Sequence, residues 1–214
     1  MQNKAEDKAK FKRGYLQLLR LERMVDVVYA IIIWRSFMLF PHPTAEQLTW
    51  EHIGTFISTS FGDFLGVIVG IVIVIVYWLQ NNTLFGNLQT TDSRHTTLSI
   101  LQLLFLLIYL QASRLSIDLG SSNGTRMFES IAVAMVGITS SWGWSYAIKN
   151  HRLLLPEVTE KYAYQLRDRY LAEPLTAIIT IPIVFVGAIP WEISWLSYPL
   201  VVSLVRRRRL SKMV

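Results

Sequence analysis

The chain has 214 residues, a net charge of +6, no cysteine and a composition that is 52% hydrophobic. Without cysteine it has neither a disulfide framework nor a thiolate metal site. Several apolar runs approach the ~20 residues that a helix needs to cross a bilayer, which leaves no room for a large soluble domain. Because an unpaired strand in lipid leaves its backbone polar groups unsatisfied, these runs predict an all-α polytopic membrane protein.

The positive charge is concentrated beside the apolar runs, which is typical of topology determinants and not of a nucleic-acid-binding surface. Eighteen of the 21 Lys and Arg residues fall on one predicted side of the membrane. The positive-inside rule therefore places both termini in the cytoplasm. We expect a basic lead-in over residues 1–23, a basic tail over residues 206–214, contacts of both with membrane lipids, and no nucleic-acid partner.

Six transmembrane helices are predicted, at about residues 24–40, 53–79, 96–112, 127–148, 170–189 and 191–205. Pro41 and Pro43 end the first span, since proline removes a backbone donor and restricts the residue before it. The fourth span is rich in small residues, which let helix backbones approach closely in lipid. The tripeptide 188–190 is predicted to be the tight link between the last two spans. The lead-in is expected to be helical, either lying on the membrane surface or continuing into the first span.

The motifs of common enzymes are missing from the sequence. The chain has no Gly-rich phosphate loop, no Gly-x-Ser-x-Gly motif and no paired carboxylates within a span. Its four histidines, at positions 42, 52, 95 and 151, include no pair at metal-ligand spacing. We therefore expect a protein that is not an enzyme and that has no metal site and no cofactor.

The first span contains two ionisable residues, Asp26 near one end and Arg35 near the other. Charges within a span are costly and indicate function by default. A buried carboxylate needs a charged or hydrogen-bonding partner, and Arg20, Arg23 and Gln80 are predicted to lie at a similar depth. This reasoning favours a structural role for Asp26.

The segment from Arg20 to Ile31 reads Arg-Leu-Glu-Arg-Met-Val-Asp-Val-Val-Tyr-Ala-Ile. It resembles the first-helix signature of the transmembrane protein 175 family of potassium channels, which is Arg-x-x-x-Phe-Ser-Asp followed by Gly-Val-Phe-Ala-Ile. The chain matches this signature at Arg, Asp, Val, Ala and Ile, with Tyr29 in place of Phe. It departs from the signature at Met24-Val25, where the family has Phe-Ser.

A second patch is similar to the same family, whose members have Trp-x-x-His near the inner end of the second helix, then an Asp, then an apolar helix with an Asn. The corresponding residues here are Trp78, Asn81, Asp92 and Gln102, with Asn81 in place of His and Gln102 in place of Asn. The resemblance implies that these residues form a structural network with Arg20 and Asp26, which holds the first helix at its inner end.

Prokaryotic members of that family are six-span subunits that assemble as homotetramers, with the first helix of each subunit lining a central pore. The resemblance therefore implies a channel for a monovalent ion, potassium, in the plasma membrane of a prokaryote. Bulky residues of the first helix form hydrophobic constrictions in the family, and the corresponding positions here are Ile31, Arg35 and Met38. Their spacings of 4 and 3 independently place all three on one helix face, which Val27 extends inward.

Arg35 does not fit this pattern, because four Arg side chains converging on a narrow pore would repel potassium by several kcal/mol. Three interpretations stay open. Arg35 snorkels to the outer surface, or it pairs with Asp63, about three turns into the second span, or it lines the pore and gives anion preference or a closed cation path.

Two other functions compete with a potassium channel. One is an anion-conducting relative in which Arg35 sets the selectivity. The other is a non-conducting membrane protein with a structural or lipid-binding role. A secondary transporter has little support, because the sequence shows neither an internal repeat nor paired broken helices.

Overall fold

Helices make up most of residues 2–210, the part of the chain that this computed structural model describes, with side chains described at 6, 8–68, 70–205 and 207. Of the predicted basic ends, residues 211–214 and the side chains of Lys4, Arg206, Arg208 and Arg209 lie outside the described part. The described helices are α1 (Gln2–Phe37), α2 (Ile53–Thr59), α3 (Phe61–Phe85), α4 (Ser93–Asp118), α5 (Asn123–Ile148), α6 (Glu160–Ile183), α7 (Ala188–Ser194) and α8 (Tyr198–Leu210).

Helix α5 forms the centre of the fold, with α4 on one side and α6 on the other. In the most apolar stretch of 18 residues of α5, 67% of the residues are buried inside the protein, whereas in that of α3 only 18% are buried. The small residues of α5 allow this close packing, because a Cβ atom at Gly137 would lie only 2.8 Å from Cδ of Pro174 on α6. Ser141 Oγ and Trp144 Nε1 donate hydrogen bonds to backbone carbonyls of α6.

Helix α1 is continuous over 36 residues, so the predicted lead-in continues directly into the first span and does not form a separate surface helix. At 1.5 Å per residue its length is ~54 Å, well beyond the ~30 Å of the hydrocarbon core. One stripe of α1 is buried against α3 and α4, through Leu18, Leu21, Val25, Tyr29 and Ile32. Helix α1 is therefore attached to the rest of the described structure along one side only.

The predicted second span, 53–79, is not one helix. Ser60, at φ −93° and ψ 3°, separates α2 from α3, and α3 then continues to Phe85. Near the break, the hydroxyl of Thr59 donates to the carbonyl oxygens of Thr55 and Phe56. Side chains that compete for backbone acceptors in this way weaken a helix, which accounts for an interruption inside an apolar stretch.

The boundary between the last two predicted spans also differs from the prediction. Helix α6 begins at Glu160, within the predicted polar connection, and ends at Ile183. The link is 184–187, with Gly187 at φ 147°, and the tripeptide 188–190 opens α7. Proline is tolerated in a first helical turn, where its missing N–H has no partner to lose, so Pro190 does not interrupt α7. Pro174 and Pro182 lie inside α6, as expected of kinks and not breaks.

Four helical segments in the described part are long and apolar enough to cross a membrane: Phe61–Phe85, Ser93–Asp118, Asn123–His151 and Ala188–Val205. Helices α1 and α6 fall short of this measure because charged residues interrupt their apolar stretches. The all-helical membrane fold is thus confirmed, while the count of six spans and the cytoplasmic location of both termini stay predictions.

Candidate functional site

One face of α1 carries large apolar side chains that nothing in the subunit covers. Met24, Val27, Ile31, Trp34 and Met38 are each 40–58% exposed. On the opposite face, Val25, Tyr29 and Ile32 are at most 2% exposed. Contiguous exposed apolar residues on a helix mark a surface for lipid or for another protein chain.

The spacing of the exposed residues is that of a coiled-coil seam. From Met24 to Trp34 the intervals are 3, 4 and 3, which keeps four side chains on one narrow stripe of a slightly supercoiled helix. Met38, in the turn directly after α1, continues this pattern by a further interval of 4. Arg35 follows Trp34 and is also exposed, but it belongs to the flank of this stripe. In parallel helix bundles the flanking positions face the neighbouring helix and not the central axis.

Three of the four predicted pore residues, Val27, Ile31 and Met38, lie in the exposed seam, and Arg35 lies at its edge. The prediction did not include Trp34, which also lies in the exposed seam. The prediction stepped from Ile31 to Met38 by 4 and then 3 residues, which passes through Arg35. A step of 3 and then 4 residues passes through Trp34 instead. The heptad interval from Val27 to Trp34, and from Ile31 to Met38, was the signal in the sequence that would have identified it.

Arg35 and Asp63 do not form the ion pair that the sequence suggested. Both side chains are exposed, and the two ion pairs within the described residues join other partners. Asp63 instead lines an open cavity of about 440 Å³ between α1, α3, α4 and α7, together with Tyr109, Glu129 and Trp191. Among the described residues, Arg35 therefore has no ion-pair partner.

Two side-chain hydrogen bonds attach the inner half of α1 to α3. Trp78 Nε1 donates to Asp26 Oδ1 at 3.0 Å, in an exposed position. Asn81 Nδ2 donates to Tyr29 Oη at 2.6 Å, in a fully buried one. Arg20 is exposed and makes no ion pair with Asp26 among the described residues. Donors on α3, and not the predicted arginine, therefore hold this part of α1.

Asp92 connects the start of α4 with the end of α5. Its carboxylate caps α4 by accepting from the backbone N–H of His95 at 3.0 Å, and it accepts from Tyr146 Oη at 2.5 Å. Arg152 donates to the same hydroxyl at 2.8 Å. Partial burial raises the pKa of Asp92, but the two hydrogen bonds and the nearby charges of His95 and Arg152 outweigh it, so the pKa lies below its ordinary value.

Gln102 is buried on α4 and faces a small internal cavity of about 10 Å³, room for about one water molecule. Asn81, His95 and Ser140 also line this cavity. The structure thus places Gln102 and Asn81 on one polar cavity, with His95 linking them to the Asp92 cap. No cluster of three or more His, Asp or Glu side chains that could hold a metal occurs in the described residues.

Comparison with known proteins supports the family that the sequence resembles. The model of the family described as "Endosomal/lysosomal potassium channel TMEM175" matches residues 20–109, which contain the α1 seam, Trp78, Asn81, Asp92 and Gln102. The crystal structure of a lysosomal potassium-selective channel TMEM175 homolog from Chamaesiphon minutus is similar in fold, with a TM-score of 0.69. The alignment covers 91% of this chain and 97% of that chain at 15% identity. No curated protein matches the chain.

Proposed function

We propose that this chain, whose residues 20–109 match the model of the TMEM175 family of ion channels, is a member of that family and the subunit of a homotetrameric potassium channel. Four copies of α1 surround a central pore. Hydrophobic side chains of the seam narrow that pore, beginning at Ile31 and ending at Met38. The channel resides in the plasma membrane of a prokaryote.

The exposed seam of α1 is the observation that carries this proposal. It lies within the residues that match the family, and it is unpartnered in one subunit although its side chains are among the largest on the surface. Packing four such stripes around an axis buries them, and the repeat of 3 and 4 is the pattern that such packing requires. Conduction then passes bulky apolar rings that gate by excluding water.

Trp34 supplies one of these rings, between those of Ile31 and Met38. Arg35 then belongs to the flank between adjacent helices and keeps its guanidinium away from the axis. This arrangement resolves the conflict between a cation pathway and four arginines, since two charges 4 Å apart repel by ~4 kcal/mol at an effective dielectric constant of 20.

An anion-conducting channel is the second candidate, and the lack of an ion-pair partner for Arg35 among the described residues favours it. In that case the guanidinium groups reach the pore and attract anions. The two candidates predict opposite reversal potentials.

The test is the reversal potential of purified protein in planar bilayers, under opposed potassium and chloride gradients. For the potassium channel we expect a reversal potential that follows potassium in the wild type and in Arg35→Leu. Trp34→Ala is expected to raise the current by widening the constriction. A reversal potential that follows chloride and is lost in Arg35→Leu would establish the anion channel. No current in any of the three proteins would eliminate both.

A further inference from the structure

A buried pair of polar side chains joins α3 to α6 beside the pore helix. Gln80 on α3 is 7% exposed and Glu173 on α6 is 8% exposed. Gln80 Nε2 donates a hydrogen bond to Glu173 Oε1, so the planar amide and carboxyl groups lie against each other. Nothing in the sequence motifs or in the proposed pore uses this pair.

Each of the two groups has one further oxygen that lacks a partner. Gln80 Oε1 and Glu173 Oε2 are both buried and have no hydrogen-bond partner at ordinary geometry within the described part of the chain. The hydroxyl of Tyr198 on α8 interacts with the Glu173 carboxyl, but it leaves Gln80 Oε1 without a donor. Both atoms are acceptors when Glu173 is ionised, so they cannot satisfy one another. A buried acceptor without a donor destabilises the fold, and a charged one does so more strongly.

The surroundings of Glu173 do not neutralise a negative charge. No ion pair to it occurs among the described residues. Of the cations on the part of the chain that the structure describes, Arg169 faces it, one turn earlier on α6, and that side chain is exposed to solvent. The other titratable groups around it are tyrosines, namely Tyr29 from α1, Tyr77 from α3, Tyr170 from α6 and Tyr198 from α8.

We propose that Glu173 and Gln80 form a proton-binding site, in which Glu173 holds a proton at neutral pH and donates it to Gln80 Oε1. One proton, taken from water, satisfies both unpartnered oxygens at once. The proton is bound to Glu173 Oε2. The Gln80 N–H then donates to Glu173 Oε1, while the Glu173 O–H donates to Gln80 Oε1. The resulting cyclic acid–amide pair has two hydrogen bonds and no net charge, which is what a buried site requires.

The position of the site connects it with the pore helix. Gln80 bonds to α6, while the next residue, Asn81, bonds to Tyr29 of α1. Loss of the proton removes one of the two hydrogen bonds between Glu173 and Gln80 and leaves a carboxylate in a buried location. The segment of α3 that holds α1 is thus stabilised by a proton bound on its other side. The existence of this site does not depend on what the pore conducts.

Infrared spectroscopy of the protein in lipid tests the protonation state directly. At neutral pH we expect a carbonyl band of a protonated carboxylic acid, which shifts on deuteration and is lost in Glu173→Gln. The matched control is Glu129→Gln, which removes the other strongly buried glutamate and must leave the Glu173 band in place. Glu173→Gln is expected to fold, since an amide–amide pair can form the same two hydrogen bonds. An unchanged band in Glu173→Gln at neutral pH overturns the proposal.

Thermal unfolding as a function of pH provides a second readout that needs no channel activity. If the folded chain retains this proton while the unfolded chain releases it, stability falls as pH rises, because the folded state binds more protons. Between about pH 6 and pH 9 we expect the melting temperature of the wild type to fall by a few degrees more than that of Glu173→Gln. Equal slopes for the two proteins would refute the proton site and leave the channel proposal untouched.

Discussion

Tyr29 and Asn81 show why a single buried contact matters more than an exposed one of similar geometry. The Asn81–Tyr29 bond is sealed from water, whereas Asp26 and Trp78 share their bond with solvent. A donor that loses its partner in a buried site cannot turn to water and therefore bears its full desolvation cost. The replacement of family residues at these positions has left α1 attached through an amide and a phenol.

Tyr29→Phe is expected to destabilise the protein by about 1–3 kcal/mol, because it leaves Asn81 Nδ2 buried without an acceptor. Asp26→Ala is expected to cost less than about 1 kcal/mol, because water can replace the lost acceptor of Trp78. Denaturant titration of both variants in detergent measures the difference. A larger loss in Asp26→Ala than in Tyr29→Phe would show that the exposed bond is the main attachment of α1.

Among the helices, α4 depends on a single cap. Asp92 has extended backbone geometry and satisfies the N–H of His95, one of the free donors at the start of α4. The same carboxylate holds Tyr146 from the end of α5. The Asp92 side chain therefore caps the start of α4 and also holds the end of α5 against it.

Asp92→Ala is expected to lower the free energy of unfolding by about 0.5–2 kcal/mol at neutral pH. Since the folded-state pKa of Asp92 lies below its ordinary value, the contribution of the charge is present above that ordinary value. It is lost as pH falls through the lowered pKa, so the gap between variant and wild type should close in acid. Asp92→Asn keeps a capping oxygen and serves as the control, with a smaller loss. A gap that stays constant down to strongly acid pH would contradict this account.

Helices α5 and α6 approach each other closely at Gly137. A Cβ atom there would meet Pro174 at 2.8 Å from Cδ and 2.9 Å from the backbone nitrogen, and neither atom can move independently of α6. At Gly143, on the same helix, a Cβ atom would meet Leu98 only at an ordinary contact distance of 3.8 Å. The two glycines thus differ in what the packing requires of them.

Gly137→Ala is expected to destabilise the protein by about 1–3 kcal/mol through forced separation of α5 and α6. Gly143→Ala is the matched control, and it should be neutral or slightly stabilising because alanine favours the helix. Melting temperatures in detergent compare the two. If Gly137→Ala were as stable as Gly143→Ala, the close approach of α5 and α6 would not be required.

At the scale of the whole molecule, the subunit is incomplete around α1. Its long apolar seam faces outward while the opposite stripe holds the subunit together. The proposed tetramer would bury the seam and give Trp34, Ile31 and Met38 partners in the other copies. The absence of cysteine from the chain makes this arrangement simple to probe with single introduced thiols.

Ile31→Cys, treated with a bifunctional maleimide in membranes, is expected to give covalent products of up to four chains on a denaturing gel. Ile32→Cys is the control, since the neighbouring side chain is fully buried within its own subunit and cannot reach another copy. Equal cross-linking of the two variants, or none with Ile31→Cys, would count against a central bundle of α1 helices.

The sequence alone determined the class of the protein and the helix that matters. Apolar length and charge placement led to an all-helical membrane protein, and the Arg20–Ile31 segment led to the family, which the family match supports. The fold class and the motif are both local properties of the chain. A segment in lipid forms a helix because its backbone N–H and C=O groups must be hydrogen-bonded within the segment, and a motif is recognised residue by residue. The corrected features, the interruption at Ser60 and the true link at 184–187, depend on local hydroxyl and glycine geometry within apolar stretches.

Only the tertiary structure decided which side of each helix is covered. In lipid an apolar side chain can face either lipid or protein, so hydrophobic periodicity does not reveal the packed face. The choice between Trp34 and Arg35 for the seam needed the buried stripe of α1 as a reference. Likewise, Gln80 and Glu173 are 93 positions apart in sequence, and only the packing of α3 on α6 brings them together. Contacts of this kind arise from how the helices pack, which no stretch of sequence contains by itself.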